Sequence, residues 1–408
     1  MPRFFTRERF GRHQFYAGLL LTAFLAQALW LARAELRGSS TPGKPEAVRI
    51  AEGWKQWHGN GIAGAPFAEQ RSTFAVAGDA PDVFDSRHSP LLYLASSAPL
   101  LIWPEPSTQA TNSWRWLARL PFLACGLLLG ASLWYVARRL CGNTGGLVAL
   151  TLYCFSPGII QAASLWHRDP EIVPAWGAFG TVFTAIAVAH TLYAPREVVL
   201  WNWRRILLLG TAFAIAIGSE FSLIILLPIA LAFLLYVAPV RKRAGFVIWL
   251  AACVIGLVLV VATYFFRLDA FANAMRHAVF WGTSWQGFAM AEVYKQIAID
   301  LARECPALLF VLPAAFLIYA WWRRTRYFGN TAPLLTAVGF VLLAIAHPHS
   351  GSEGFVLAAI PFLLVFVGGV LADLMETRQR SLVASCVFGL LAAYCLWNVS
   401  VLAFVPPG

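Results

Sequence analysis

The stretch SLWHRDPEIV, residues 164–173, places ionisable side chains between two apolar runs. Four of them interrupt sequence that otherwise suits a lipid environment: His167, Arg168, Asp169 and Glu171. Charge at the edge of a bilayer is costly and usually has a function there. Carboxylates can act as general bases, and arginine is well suited to binding phosphate. The stretch therefore predicts a polar site at a membrane surface.

A second polar stretch, KPEAVRIAEGWKQWHGNG, residues 44–61, is typical of an amphipathic helix that begins near Pro45. Apolar residues recur along it at three-residue spacing: Val48, Ala51 and Trp54. Tryptophan anchors such helices at the level of the lipid headgroups. Glu46, Arg49 and Glu52 share a second, polar stripe. We expect Glu46, at the helix start, to face the polar site and Glu52 to face water.

Transmembrane helices must position these residues. The chain has 408 residues, of which 59% are hydrophobic and 12% charged, and several apolar runs reach the roughly 20 residues that span a bilayer. We predict an all-α polytopic membrane protein with about eleven transmembrane helices, forming one transmembrane domain over residues 1–408 with no separate soluble domain. The net charge of +11 lies in small clusters between apolar runs, as topology signals do, so nucleic acid is not the predicted partner.

The basic clusters predict the orientation. Segments such as Arg138–Arg139 and Arg241–Arg243 are expected in the cytoplasm, together with the N-terminus. Residues 35–113 then form a long first outer loop, and residues 267–305 a second one. The apolar stretch 89–103 is too short for a span and predicts an interfacial or re-entrant helix in the first loop. We expect a multi-pass protein of the cytoplasmic (inner) membrane with its active face on the periplasmic or outer side.

A series of motifs resembles a known family. After the first span come PEAVRIAE, GNGIAGAPF, HSPLLYL and ARLPF, then a span ending in ARRLCG, and FSP before HRDP. In order and spacing the series resembles the GT-C superfamily of glycosyltransferases, in particular the bacterial branch of protein O-mannosyltransferase-like and lipid A aminoarabinose transferases. The resemblance covers about residues 14–195.

The resemblance implies an inverting transfer of a sugar from a polyprenyl-phosphate carrier to a lipid, glycan or protein acceptor at the outer membrane side. A carboxylate in the first outer loop of the family acts as base, and Glu46 occupies that position, where most members have Asp. Asp169, followed by Pro170, matches a second carboxylate. A base beside the acceptor hydroxyl raises its nucleophilicity, while a phosphate leaving group needs cations or hydrogen-bond donors.

The chain departs from the family at two predicted phosphate cations. Glu220 replaces a lysine common between the fifth and sixth spans, and Glu353 replaces an arginine near the tenth span. A neighbour such as Arg49, Arg87, Arg168 or Arg276 could take over this role, or the donor could differ, or activity could be lost. Besides the catalytic pair Glu46 and Asp169, the predicted substrate-binding residues are Arg49, Arg87, His88, His167, Arg168, Glu171, Glu220, His347, His349 and Glu353.

No metal-ligating residue is predicted. Pro348 makes it hard to place His347 and His349 on one helical face with Glu353, and no second half of a metal motif follows. A divalent cation stays open as a cofactor. Two other readings also stay open: a non-catalytic relative, suggested by Glu220 and Glu353, and a transporter or lipid-carrier flippase, which would also need charge within the membrane.

Overall fold

The computed structural model describes residues 11–38, 44–58, 87–102, 115–164, 171–192, 203–280, 284–347, 352–376 and 380–403. Within these ranges the regular structure is helical throughout, as predicted. The α-helices of these ranges are α1 Arg12–Gly38, α2 Lys44–Trp57, α3 Leu91–Ser97, α4 Arg115–Cys154, α5 Pro157–Ser164, α6 Ile172–Thr191, α7 Trp203–Ser219, α8 Leu226–Val237, α9 Lys242–Thr263, α10 Leu268–His277, α11 Ala291–Glu304, α12 Pro306–Trp321, α13 Phe328–Ala346, α14 Ser352–Met375 and α15 Arg380–Ala403. Short 3₁₀ turns follow or precede several of them: Ala98–Ile102, Phe221–Ile225, Pro239–Arg241, Trp285–Ala289 and Arg323–Thr325.

Fewer helices than expected are long enough to cross a membrane. Seven helices of the described ranges have the length and apolar composition of a span, or eight if α11 and α12, bent by 110° at Cys305, count as one. The predicted count of eleven is therefore not confirmed. The fifth and sixth expected spans, roughly 206–218 and 222–237, correspond to α7, with 17 residues, and α8, with 12, which a 3₁₀ turn separates.

A kink divides the longest helix, α4. Gly142 has φ 75° and ψ 178°, which is outside the helical region and in the left-handed range that favours glycine. The kink lies between the second and third spans that the apolar runs predict, roughly 114–137 and 145–164. The third expected span, 145–164, is itself interrupted after Cys154, because Pro157 starts the separate helix α5.

Residues 1–40, 122–175 and 283–408 form one compact unit. Its centre is α14, which is buried along nearly all of its apolar length and packs against α13, where the rings of Phe340 and Phe362 stack. Tyr153 of α4 donates a hydrogen bond of 2.6 Å to the Gly126 carbonyl. Helix α11 packs against α5, α13 and α14.

Residues 41–121 and 176–282 form the second compact unit. Its apolar core joins α6, α7, α8 and α9 through buried residues that include Phe213, Leu234 and Ala252. Helices α7 and α9 approach closely at Gly210, where an added Cβ would lie 2.7 Å from Ile255. On this bundle lies the pair α2 and α3, and α3 contacts both α7 and α9. This unit contains most of the predicted site residues that the structure describes.

Candidate functional site

Helix α2, which begins two residues before Glu46, is held against α3 by a glycine. A Cβ on Gly53 would overlap the carbonyl oxygen of Tyr93 and the hydroxyl of Ser97, so only glycine permits this approach. One turn later, Trp57 donates from its indole Nε1 to the Leu94 carbonyl at 3.2 Å. Its ring also meets Phe265 edge-on, with ring centroids 5.7 Å apart. These contacts fix the C-terminal half of α2 on α3 and on the end of α9.

The register of α2 places position 46 on the face that packs against α3. Positions 46, 50, 53 and 57 share that face, because 3.6 residues make one turn. Ile50 on the same face is 3% exposed. The side chains of Glu46 and Arg49 lie outside the described part of the chain. The predicted helix is thus observed, while the role of Glu46 stays a prediction.

The expectation that Glu52 faces water is wrong. The residue is 8% exposed, and Gln56, one turn later, is 2% exposed. The apolar stripe Val48–Ala51–Trp54 predicted which side of α2 is buried. In the structure, Gly53 lets α2 approach α3 on a different side, so a different set of residues is buried. Burial raises the pKa of the Glu52 carboxyl above its ordinary value of 4.5, and the ammonium group of Lys55, 3.8 Å away, only partly offsets this effect.

Glu220 meets one of the proposed substitute cations. Its Oε1 lies 3.4 Å from the Arg87 guanidinium and accepts a hydrogen bond of 2.9 Å from the Ser222 hydroxyl. The Glu220 side chain is 9% exposed, whereas that of Arg87 is 35% exposed. Glu220, which stands where the resemblance predicts a lysine, is therefore accompanied by an arginine. The side chain of that arginine is partly exposed.

Backbone hydrogen bonds hold the two partners of this pair together. The Phe221 amide donates to the Arg87 carbonyl at 2.8 Å, and the Ser89 amide donates to the Gly218 carbonyl at 3.0 Å. The Ser89 hydroxyl also donates to the Gly218 carbonyl, at 2.6 Å. The segment 87–90, which leads into α3, thus runs alongside the junction between α7 and the following 3₁₀ turn. His88, half-buried, lies within this segment.

The remaining predicted residues belong to the other unit or to segments that the structure leaves undescribed. Glu171 is half-buried and directly precedes α6, where its carbonyl accepts from the Ala175 amide. Glu353 is the second residue of α14, and its side chain is not described. Four predicted residues lie outside the described ranges: His167, Arg168, Asp169 and His349. Their roles stay predictions.

His347, at the end of α13, is 5% exposed. Its Nδ1 lies 2.8 Å from the Leu343 carbonyl, which requires a proton on Nδ1, and its ring centroid lies 5.0 Å from that of Phe355. The buried Nε2 has no hydrogen-bond partner among the described residues. Within those residues, no group of three or more His, Cys, Asp or Glu side chains is arranged to hold a metal ion.

Comparison with known proteins identifies similar folds. The protein family described as dolichyl-phosphate-mannose-protein mannosyltransferase matches residues 106–265. ArnT from Cupriavidus metallidurans, in the apo state, aligns with 93% of this chain and 63% of its own, with 14% identity and a TM-score of 0.58. The structure of the same protein bound to undecaprenyl phosphate aligns over the same shares, with 14% identity and a TM-score of 0.56.

The oligosaccharyltransferase of Archaeoglobus fulgidus, in complex with Zn and sulfate, aligns with 78% of this chain and 44% of its own, with 13% identity and a TM-score of 0.50. No curated protein sequence matches. The chain thus spans less than two thirds of the solved proteins that it resembles. These likenesses confirm the GT-C-like, all-helical fold and the expected resemblance to the ArnT and protein-mannosyltransferase branch. The chain is an integral, multi-pass membrane protein.

Proposed function

We propose that this chain is a membrane glycosyltransferase that moves a sugar from a polyprenyl-phosphate carrier to a lipid, glycan or protein acceptor on the outer side of the cytoplasmic membrane. The main support is the likeness over 93% of the chain to ArnT, a protein whose solved structure holds undecaprenyl phosphate. The placement of the proposed base and of a half-exposed arginine on neighbouring elements of one compact unit adds to it.

In the proposed reaction, Glu46 removes the proton from an acceptor hydroxyl. The hydroxyl oxygen attacks the anomeric carbon, and the bond between that carbon and the carrier phosphate oxygen breaks. The electron pair leaves with the phosphate, and the proton stays on the Glu46 carboxyl, so atoms and charge balance. A phosphate is already a good leaving group, so cations rather than an acid assist its departure.

Arg87 is the cation that we assign to the carrier phosphate. Its guanidinium lies 3.4 Å from Glu220, its side chain is 35% exposed, and the planar fork of a guanidinium suits phosphate oxygens. Within the same proposal, Asp169 is a second carboxylate of the site. Further substrate contacts are proposed for Arg49, His88, His167, Arg168, Glu171, His347, His349 and Glu353. A divalent cation is not required by this scheme.

The decisive experiment replaces Glu46 by glutamine, which keeps the shape and removes the base. If the chain is a transferase, Glu46→Gln should reduce turnover roughly 10²–10⁴-fold. Mass spectrometry first compares cell-envelope lipids and glycans with and without the protein, which identifies the modified product. The rate at which each variant forms this product is then measured. Glu292→Gln is the matched control, because Glu292 is an exposed carboxylate of α11 whose side chain is 79% exposed. Full turnover in Glu46→Gln would refute the base assignment, and unchanged envelope lipids and glycans would refute the transferase.

The proposed orientation is tested separately. In a background without the seven cysteines, a cysteine at Gly78 should react with a membrane-impermeant reagent from outside, and a cysteine at Lys242 should not. Lys242 begins α9, one of the helices long enough to span. Labelling at Lys242 alone would reverse the orientation and move the proposed site to the cytoplasmic side.

A further inference from the structure

Helix α2 buries a second, polar face beside the face that packs on α3. Glu52 and Gln56 are one turn apart, so they lie on the same side of the helix. This side is distinct from the side of Ile50, Gly53 and Trp57, because each residue turns the helix by about 100°. At 8% and 2% exposure, the two polar residues are about as buried as Ile50, at 3%. Buried polar side chains are rare unless they are hydrogen-bonded.

This polar face has hydrogen-bonding capacity that the described residues leave unused. Neither Oε1 nor Nε2 of Gln56 has a partner among the described residues. The Glu52 carboxyl lies 3.8 Å from the Lys55 ammonium. The buried hydroxyls of Ser96 and Ser97 on α3 donate instead to the Tyr93 carbonyl, at 2.7 and 2.8 Å. A largely buried carboxyl group and a buried amide thus lie on one side of α2, and both polar atoms of the amide lack a partner among the described residues.

We infer that Glu52 and Gln56 form a binding subsite for the hydroxyl groups of a sugar, an assignment that rests on the proposed function. A sugar ring presents adjacent hydroxyls that donate and accept, which a carboxylate and an amide one turn apart can meet together. Glu52 lies six residues beyond Glu46, about 9 Å along the helix axis, a separation that a glycan of one or two rings spans. Because both side chains are largely buried, an entering sugar hydroxyl must displace some of the residues that cover them. A hydrogen bond formed in such surroundings, away from water, is stronger than one formed in water.

Sugar hydroxyls are present both in the sugar donor and in a glycan acceptor, so either substrate could occupy the subsite. The test therefore uses three probes with the full-length protein in lipid nanodiscs: undecaprenyl phosphate, undecaprenyl phosphate carrying mannose or 4-aminoarabinose, and methyl mannoside. Thermal unfolding with each probe gives the apparent affinity, since a ligand that binds the folded state raises Tm. The variant is Gln56→Leu, and Gln286→Leu, at an exposed position of the second outer loop, is the control.

We expect the wild type to bind sugar-bearing carrier more tightly than bare carrier. Gln56→Leu should bind bare carrier as before, should lose about tenfold in affinity for a sugar-bearing probe, and should unfold without ligand at the same or a higher Tm, because leucine leaves no unmet amide. Loss of affinity for the sugar-bearing carrier places the donor sugar at the subsite. Loss for methyl mannoside alone places the acceptor there.

Several outcomes would overturn the inference. A lower Tm of ligand-free Gln56→Leu, with its sugar affinity intact, would mean that the amide serves the fold. Equal affinity of the wild type for bare and sugar-bearing carrier, with no response to methyl mannoside, would also reject the subsite. In both cases binding of the carrier itself would leave the proposed function standing. A wild type that responds to none of the probes would reject both.

Discussion

Two buried carboxylates of the same compact unit, Glu220 and Glu52, differ in their partners. Glu220 is 7% exposed, lies 3.4 Å from the Arg87 guanidinium and accepts a hydrogen bond from Ser222. Glu52 is 8% exposed, lies 3.8 Å from the Lys55 ammonium, and shares its helix face with an amide that has no partner among the described residues. Similar burial of the two carboxylates therefore accompanies different polar surroundings.

The difference indicates two kinds of polar site. In the first, the carboxylate of Glu220 has an arginine and a hydroxyl beside it, and the arginine is the group to which we assign the carrier phosphate. In the second, the amide beside the carboxyl has no partner among the described residues, and it is the group to which we assign a ligand hydroxyl. A buried polar group without partners is costly, and a ligand that supplies the missing hydrogen bonds is one reason for such a group to be present.

The largest effect is expected from breaking the Arg87–Glu220 pair. Arg87→Met keeps the aliphatic stem but leaves Glu220 buried beside no guanidinium, so we expect a lower Tm and a loss on the order of 10²-fold in transfer from the carrier. The double variant Arg87→Met/Glu220→Gln should regain most of the stability, because it removes the uncompensated charge. Transfer should stay low in the double variant.

A double variant that regains stability but not turnover would separate two roles of Arg87: compensating the buried charge of Glu220 and binding the carrier phosphate. Thermal unfolding and carrier turnover, measured on the wild type, both single variants and the double variant, give the coupling for each property. If the double variant regained turnover together with stability, the pair would serve only the fold, and the carrier phosphate would be bound elsewhere.

A smaller effect is expected at Gly53, which sets the spacing of α2 and α3. The Cβ of Gly53→Ala would overlap the Tyr93 carbonyl, so α2 must shift, at a cost typical of overpacking, about 1–3 kcal/mol. Turnover should fall with little change in carrier affinity, because α2 begins next to the proposed base while Arg87 precedes α3. In Gly18→Ala, where a Cβ would meet nothing within 4 Å, stability should be unchanged or slightly higher. Equal behaviour of the two variants would contradict the close approach.

The smallest effect concerns Glu52 and pH. Its pKa is raised in the folded state, so the folded state holds the proton more tightly than the unfolded state does. Stability from this group is complete below about pH 4.5, the ordinary pKa, and is lost as pH rises through the folded pKa. Glu52→Gln cannot ionise, so its Tm relative to the wild type should rise from acidic to neutral pH. Among the described residues, Lys55 is the cation 3.8 Å from Glu52, and it stays unchanged in this variant.

The control for this pH series is Glu292→Gln, since an exposed carboxylate should alter the profile little. Parallel Tm profiles of Glu52→Gln and the wild type would show that Glu52 ionises as freely in the folded state as in the unfolded one. Glu52 would then be a solvated surface residue, as its place in the sequence pattern first indicated.

The sequence by itself determined the membrane character and the helical class, because apolar runs of about 20 residues have few other solutions. It also determined that 44–57 forms a helix, through Pro45 and the spacing of apolar residues, and that α4 breaks near Gly142. The order of short motifs indicated the GT-C fold. These properties are local or compositional, so a single sequence contains them.

Only the tertiary structure decided which face of α2 is buried and which cation meets Glu220. Periodicity gives the faces of a helix but not their neighbours, and the approach at Gly53 depends on the backbone of Tyr93, forty residues later. Arg87 and Glu220 are 133 residues apart, and their contact follows from backbone hydrogen bonds between segment 87–90 and the end of α7. Pairings at such separation are set by packing of whole helices, which no local pattern contains.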